Sequence, residues 1–68
     1  MEPLKITLAA ARVNAELTQK QLADACGVSE STVINWEAGK TFPSVGMLGK
    51  LEAALGISLN YIRFEKRS

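Results

Sequence analysis

Between Thr18 and Lys40 the chain runs TQKQLADACGVSESTVINWEAGK, and this segment limits the fold more than any other. It holds two helix starts: Thr18 ahead of Gln19-Lys20-Gln21, and Ser29 ahead of Glu30-Ser31-Thr32, with Gly27 between them. A Thr or Ser hydroxyl at such a position accepts from the free backbone N–H groups of the first helical turn. Gln21 follows Thr18 at the spacing of a capping box, whereas Thr32 in the matching place after Ser29 cannot complete one. From Gln19 to Cys26 there is room for about two turns at roughly 3.6 residues per turn. Gly27 then supplies the positive φ that a tight exit needs. A second helix over about Glu30 to Ala38 ends in the same way at Gly39.

Two short helices joined by a glycine turn form a helix-turn-helix, whose second helix enters the DNA major groove. If Val33 and Trp36 face inward they fix the rotation of that helix. Glu30, Ser31, Ile34 and Asn35 then lie on or near the opposite face. Asn35 carries the donor and acceptor edge that pairs with adenine, Ser31 can donate or accept, and Glu30 can accept from cytosine. Ile34 can meet a thymine methyl group. The plain alternative is a solvated polar face, with Glu30 favouring the positive end of the helix dipole.

The rest of the chain is also helical in pattern. Leu4, Leu8, Val13 and Leu17 fall near one face of a helix from Leu4 to Glu16, helped by the propensity of Ala9 to Ala11. In the helix from Gln19, the inward residues are Leu22, Ala23 and Cys26. Pro43 keeps Phe42 out of helical geometry. Ser44 then caps a fourth helix with the stripe Met47, Leu48, Leu51 and Leu55, weakened at its start by Gly46 and Gly49. Gly56 ends it, and Ser58 caps a short fifth helix through Asn60, Tyr61 and Ile62. No alternating run is long enough for a strand, so the fold class is all-α with five short helices.

Composition narrows the function. A chain of 68 residues with 47% hydrophobic content holds one domain with a small core. Single Cys26 excludes an internal disulfide, and with no His there is no Cys/His zinc site, so no metal is expected. There is no Gly-rich phosphate loop and no nucleophile beside a base, so neither an enzyme, a cofactor nor a small-molecule ligand is expected. No secretory signal or membrane-spanning run is visible, which predicts a cytosolic protein with no membrane partner. Eight Lys and Arg against seven Asp and Glu give a net charge of only +1. Phosphate attraction must then come from a few placed groups, and neutral donors and backbone N–H groups can supply many of them.

The residues from Leu4 to Phe64 resemble the phage repressor/Cro class of helix-turn-helix domains, the XRE family. The signatures are Ala11-Arg12, Leu17-Thr18-Gln19, Leu22-Ala23, Gly27-Val28-Ser29, Val33, Trp36 to Lys40, Pro43 and Leu55-Gly56-Ile57. The resemblance implies a five-helix lambda-repressor-like domain over residues 1–64, with 65–68 as a solvated end. It also implies a palindromic operator in double-stranded DNA, in the cytoplasm of a bacterial or phage-infected cell. In similar proteins the residue matching Gln19 sits against a phosphate, and those matching Ser29, Glu30, Ser31 and Asn35 point toward base edges. Glu30 departs from several relatives, which carry an amide or a basic residue there. The residues matching Arg12 and Glu37 form a structural ion pair beneath the DNA-binding surface, suited to the planar guanidinium fork.

Phosphate positioning falls to Gln19, Lys20, the start of their helix, and Lys40-Thr41 after Gly39. Each lysine can equally be an ordinary solvated side chain. Trp36 reads as core rather than a stacking platform, and Cys26 as a small hydrophobe rather than a redox switch. Leu59 and Ile62 are expected to cover the core, which leaves Tyr61 and Phe64 as a candidate homodimer patch; otherwise both rings close the base of a monomer. Lys66 and Arg67 can add general phosphate attraction. The leading reading is a sequence-specific regulator, most simply a repressor, bound to its operator as a dimer. The competing one is a protein-interaction module (antirepressor, antitoxin or coactivator) on the same fold.

Overall fold

In the computed structural model, which describes residues 5–64, four α-helices surround one apolar core. They are α1 (Leu8–Asn14), α2 (Gln19–Cys26), α3 (Glu30–Ala38) and α4 (Val45–Leu55). A 3-10 turn over Leu59–Tyr61 follows α4. Two residues at each end of this framework, β1 (Ile6–Thr7) and β2 (Ile62–Arg63), pair in parallel, with Ile6 opposite Ile62 and Thr7 opposite Arg63. Leu22, Val33 and Leu51 are fully enclosed at the centre, with Leu8, Ala11, Ala23, Cys26, Trp36, Leu55 and Ile62 around them. α2 packs on both α3 and α4, and α1 lies against α3.

The first helix begins later than its apolar run suggests. Thr7 is extended at φ −70° and ψ 160°, and its hydroxyl accepts from Ala10 N–H at 3.1 Å, so α1 is capped there. The preceding residues go to the strand pair, a feature that the expectation of no strand missed. Leu4 and residues 65–68, with Lys66 and Arg67 among them, lie outside the described residues.

Val13, expected near the same face as Leu8, is 61% exposed. At about 100° per residue it lies roughly 140° around the helix from Leu8. The inward face is instead Leu8 and Ala11, with Ala15 packed against the core just past the helix end.

The fifth helix is reduced to a single 3-10 turn. Ser58 Oγ accepts from Asn60 N–H at 3.2 Å, and Glu52 Oε2 accepts from Leu59 N–H at 2.9 Å. Ile62 then turns extended at φ −109° and ψ 129°, because it pairs with Ile6 while its side chain enters the core. Leu59 and Ile62 cover the core as expected. The proposed aromatic patch is split: Phe64 packs against the core, and Tyr61 stays 51% exposed.

Candidate nucleic-acid interface

The starts of α2 and α3 are built by their caps. Thr18 Oγ1 accepts from Gln21 N–H at 3.0 Å while Gln21 Oε1 accepts from Thr18 N–H at 2.8 Å, a complete capping box. Leu22 N–H turns back to the Thr18 carbonyl at 2.9 Å. Among the described residues this leaves the N–H groups of Gln19 and Lys20 as the open donors of the turn. Gly27 adopts φ 72°, and Val28 N–H closes on the Ala23 carbonyl at 3.0 Å. The chain is thereby delivered to Ser29, whose hydroxyl accepts from Thr32 N–H at 3.3 Å and lies 3.0 Å from Thr32 Oγ1.

Val33 is fully buried and Trp36 is 5% exposed, so both face the core and Trp36 is unavailable as a stacking platform. Their burial turns Glu30, Ser31 and Ile34 outward, and all three are exposed, as is the N-cap Ser29 at the end of the helix. Asn35 is only half-buried, at the margin of this face. Its carbonyl accepts from Lys40 and Thr41 N–H at 3.0 and 3.4 Å, which bends the chain after Gly39 (φ 76°) and brings Lys40 and Thr41 to the surface. Lys20 is exposed and pairs with Asp24 one turn on, at 3.6 Å.

Beneath this surface Arg12 and Glu37 form the expected ion pair. Arg12 Nε donates to Glu37 Oε2 at 2.7 Å and Nη2 to Oε1 at 3.3 Å, in the parallel two-bond arrangement that suits a carboxylate. Nη1 of the same fork donates to the Leu17 carbonyl at 2.9 Å, which anchors the turn between α1 and α2. Glu37 also accepts from Gln19 Nε2 at 3.0 Å. Sequence reasoning assigned Gln19 outward only; its inward bond depends on how the end of α3 meets the start of α2, for which spacing along the chain holds no signal.

Cys26 is 1% exposed, and burial pushes its thiol pKa up, an effect that nearby Lys50 partly offsets. This is the environment of a small apolar side chain rather than of a reactive thiolate. Among the described residues no cluster of His, Cys, Asp or Glu could hold a metal ion, and no helix is long and apolar enough to cross a membrane.

A family model described as Helix-turn-helix matches residues 8–62, from the first residue of α1 into β2. The chain belongs to the XRE-type helix-turn-helix family. Within this family assignment, α2 and α3 are the two helices of the motif, and the motif is a DNA-binding one. The domain is also similar to Multiprotein-bridging factor 1 of Debaryomyces hansenii, 43% identical over 49 residues, or 72% of this chain and 33% of that protein. It is 41% identical over 49 residues to the Candida albicans protein of the same name, covering 72% of this chain and 32% of the relative. With Multiprotein-bridging factor 1a of Arabidopsis thaliana it shares 39% identity over 56 residues, 82% of this chain and 39% of that protein. The helix-turn-helix domain thus spans about a third of the length of the curated relatives it matches.

Proposed function

We propose that this domain binds double-stranded DNA sequence-specifically, with α3 in the major groove, and regulates transcription by occupying an operator. The supporting observation is the division of α3: Val33 and Trp36 are locked inward while Glu30, Ser31 and Ile34 are exposed, with the exposed cap Ser29 just ahead of them. Asn35 joins them from the edge to read adenine, and Glu30 discriminates in favour of cytosine. Backbone donors of Gln19 and Lys20, the Gln19 amide, Lys40 and Thr41 hold phosphates on either side. On this reading two copies bind a palindromic site as a dimer, with half-sites about one turn (34–36 Å) apart. Exposed Tyr61 is the side chain offered to that contact. The action is occupancy in the cytoplasm, with repression as the simplest outcome and no catalytic step.

Selection from a random duplex library, followed by binding across a salt series, tests this reading. A palindromic motif whose affinity falls steeply with salt supports it, because phosphate contacts release counterions. No enrichment, or uniformly weak binding to every duplex, overturns it.

A second reading has its own support. The domain is similar to proteins named as multiprotein-bridging factors, and the net charge of +1 is low for a domain bound by phosphate attraction alone. On this reading the domain docks another protein, through a contact that responds little to salt. The same salt series separates the two.

A further inference from the structure

We infer that Glu37 is a positioning residue for the phosphate contact of Gln19, fixing its side-chain amide so that nitrogen rather than oxygen faces the DNA backbone. This rests on the DNA-binding reading and deepens it. An ionised carboxylate only accepts hydrogen bonds, so the group 3.0 Å from Glu37 Oε1 must be the Gln19 NH2; a flipped amide would set oxygen against oxygen. Most glutamine side chains turn either face to a partner, but this one is held.

The amide nitrogen has two hydrogens, and Glu37 takes one. The second is left by trigonal geometry as a further donor on a half-buried side chain at the first position of α2, a residue whose backbone N–H, like that of Lys20, is also open. A phosphate oxygen arriving there meets side-chain and backbone donors together. Arg12 completes the device. A bare carboxylate beneath an anion site would repel the anion, but both oxygens of Glu37 are engaged by the guanidinium. The ion pair therefore orients the amide without charging the site against its ligand.

The test is a double-mutant cycle in DNA affinity. Wild type, Gln19→Met, Glu37→Gln and the double variant are titrated with the duplex recovered by selection, below the melting temperature of each. Each single substitution is expected to weaken binding about 3- to 10-fold. In the Gln19→Met background, Glu37→Gln should weaken it no further. Independent, multiplicative losses, or a Glu37→Gln protein that binds like wild type, overturn the inference. Wild type showing no salt-dependent duplex binding overturns the DNA reading itself, and this inference with it.

Should Glu37→Gln fail to fold, the wild-type protein decides by NMR. One of the two Gln19 amide protons should shift on adding duplex far more than its geminal partner. Two unmoved protons overturn the inference.

Discussion

Arg12 Nε and Glu37 Oε2 lie 2.7 Å apart, with 16% and 8% of their side chains exposed. Glu37 sits near the end of α3, and Arg12 reaches it from α1 while also holding the carbonyl of Leu17. One guanidinium therefore sets the position of both helices of the motif relative to the first. Replacing Arg12 by Met leaves an uncompensated, largely buried carboxylate, at a cost of about 3–5 kcal/mol. For a domain this small that approaches its entire stability. Thermal melting should show Arg12→Met mostly unfolded at 37 °C and Arg12→Met/Glu37→Leu substantially recovered. An Arg12→Met protein that melts like wild type would remove the pair from the structural framework.

Two glycines should respond oppositely to the same substitution. An alanine methyl at Gly46 or Gly27 meets nothing within 4 Å, so steric contact decides neither. Gly46 lies in the first turn of α4, where alanine is better by at most about 0.5–1 kcal/mol. Gly27 holds φ +72°, where a side chain costs roughly 1–2 kcal/mol. Denaturant melts should show Gly46→Ala more stable than wild type and Gly27→Ala less stable. Equal shifts of one sign would refute the conformational explanation.

The buried thiol makes stability depend on alkaline pH. Burial raises the Cys26 pKa above its ordinary 9.0, so the folded chain holds this proton more tightly than the unfolded one. The resulting stabilisation is complete below pH 9.0 and declines as pH rises from there toward the higher folded value. Cys26→Ala removes this dependence while adding a small packing loss. Parallel urea melts from pH 7 to 10 should therefore show the wild-type and Cys26→Ala curves converging at the alkaline end. A constant gap would mean the thiol does not titrate differently on folding.

On the DNA-binding reading, Asn35→Ala should cost on the order of 1–3 kcal/mol and relax preference at one base pair. Lys40→Ala should weaken all sequences alike and reduce the salt slope by about one. Competition binding against single-base operator variants separates the two behaviours. A uniform loss for Asn35→Ala would move it to the phosphate class, a result compatible with its half-buried place at the edge of the α3 face.

The motif was legible because its signals are local. Thr18 with Gln21, Gly27, and Ser29 before α3 each act within a few residues of where they stand, and each does in the structure what its chemistry dictates. The ends of the chain were not legible in this way. Alanine propensity and an apolar run extended α1 toward Leu4, whereas the Thr7 hydroxyl and the pairing of Ile6 with Ile62 stop it at Leu8. A strand of two residues has no period to detect; it exists because a distant partner is there. The same distinction runs through the candidate site. The exposure of Glu30, Ser31 and Ile34 follows from the spacing of Val33 and Trp36. The bond from Gln19 to Glu37, and the turning of Phe64 away from Tyr61, arise only when remote segments meet.

The pairing of Ile6 with Ile62 also bears on how the domain assembles in time. The helices are joined by short turns and can form their mutual contacts early, at little entropic cost. The parallel ladder joins the two ends of the described chain, so it carries the largest loop-closure cost in the molecule. It also leads directly into the Thr7 cap of α1 and carries the core residue Ile62. Fraying at either end is therefore shared by both: releasing β2 opens the core and frees β1, and releasing β1 removes the partner of Ile62. In kinetic terms the ladder acts as a late clasp, whose opening should chiefly speed unfolding and leave the rate of folding almost unchanged.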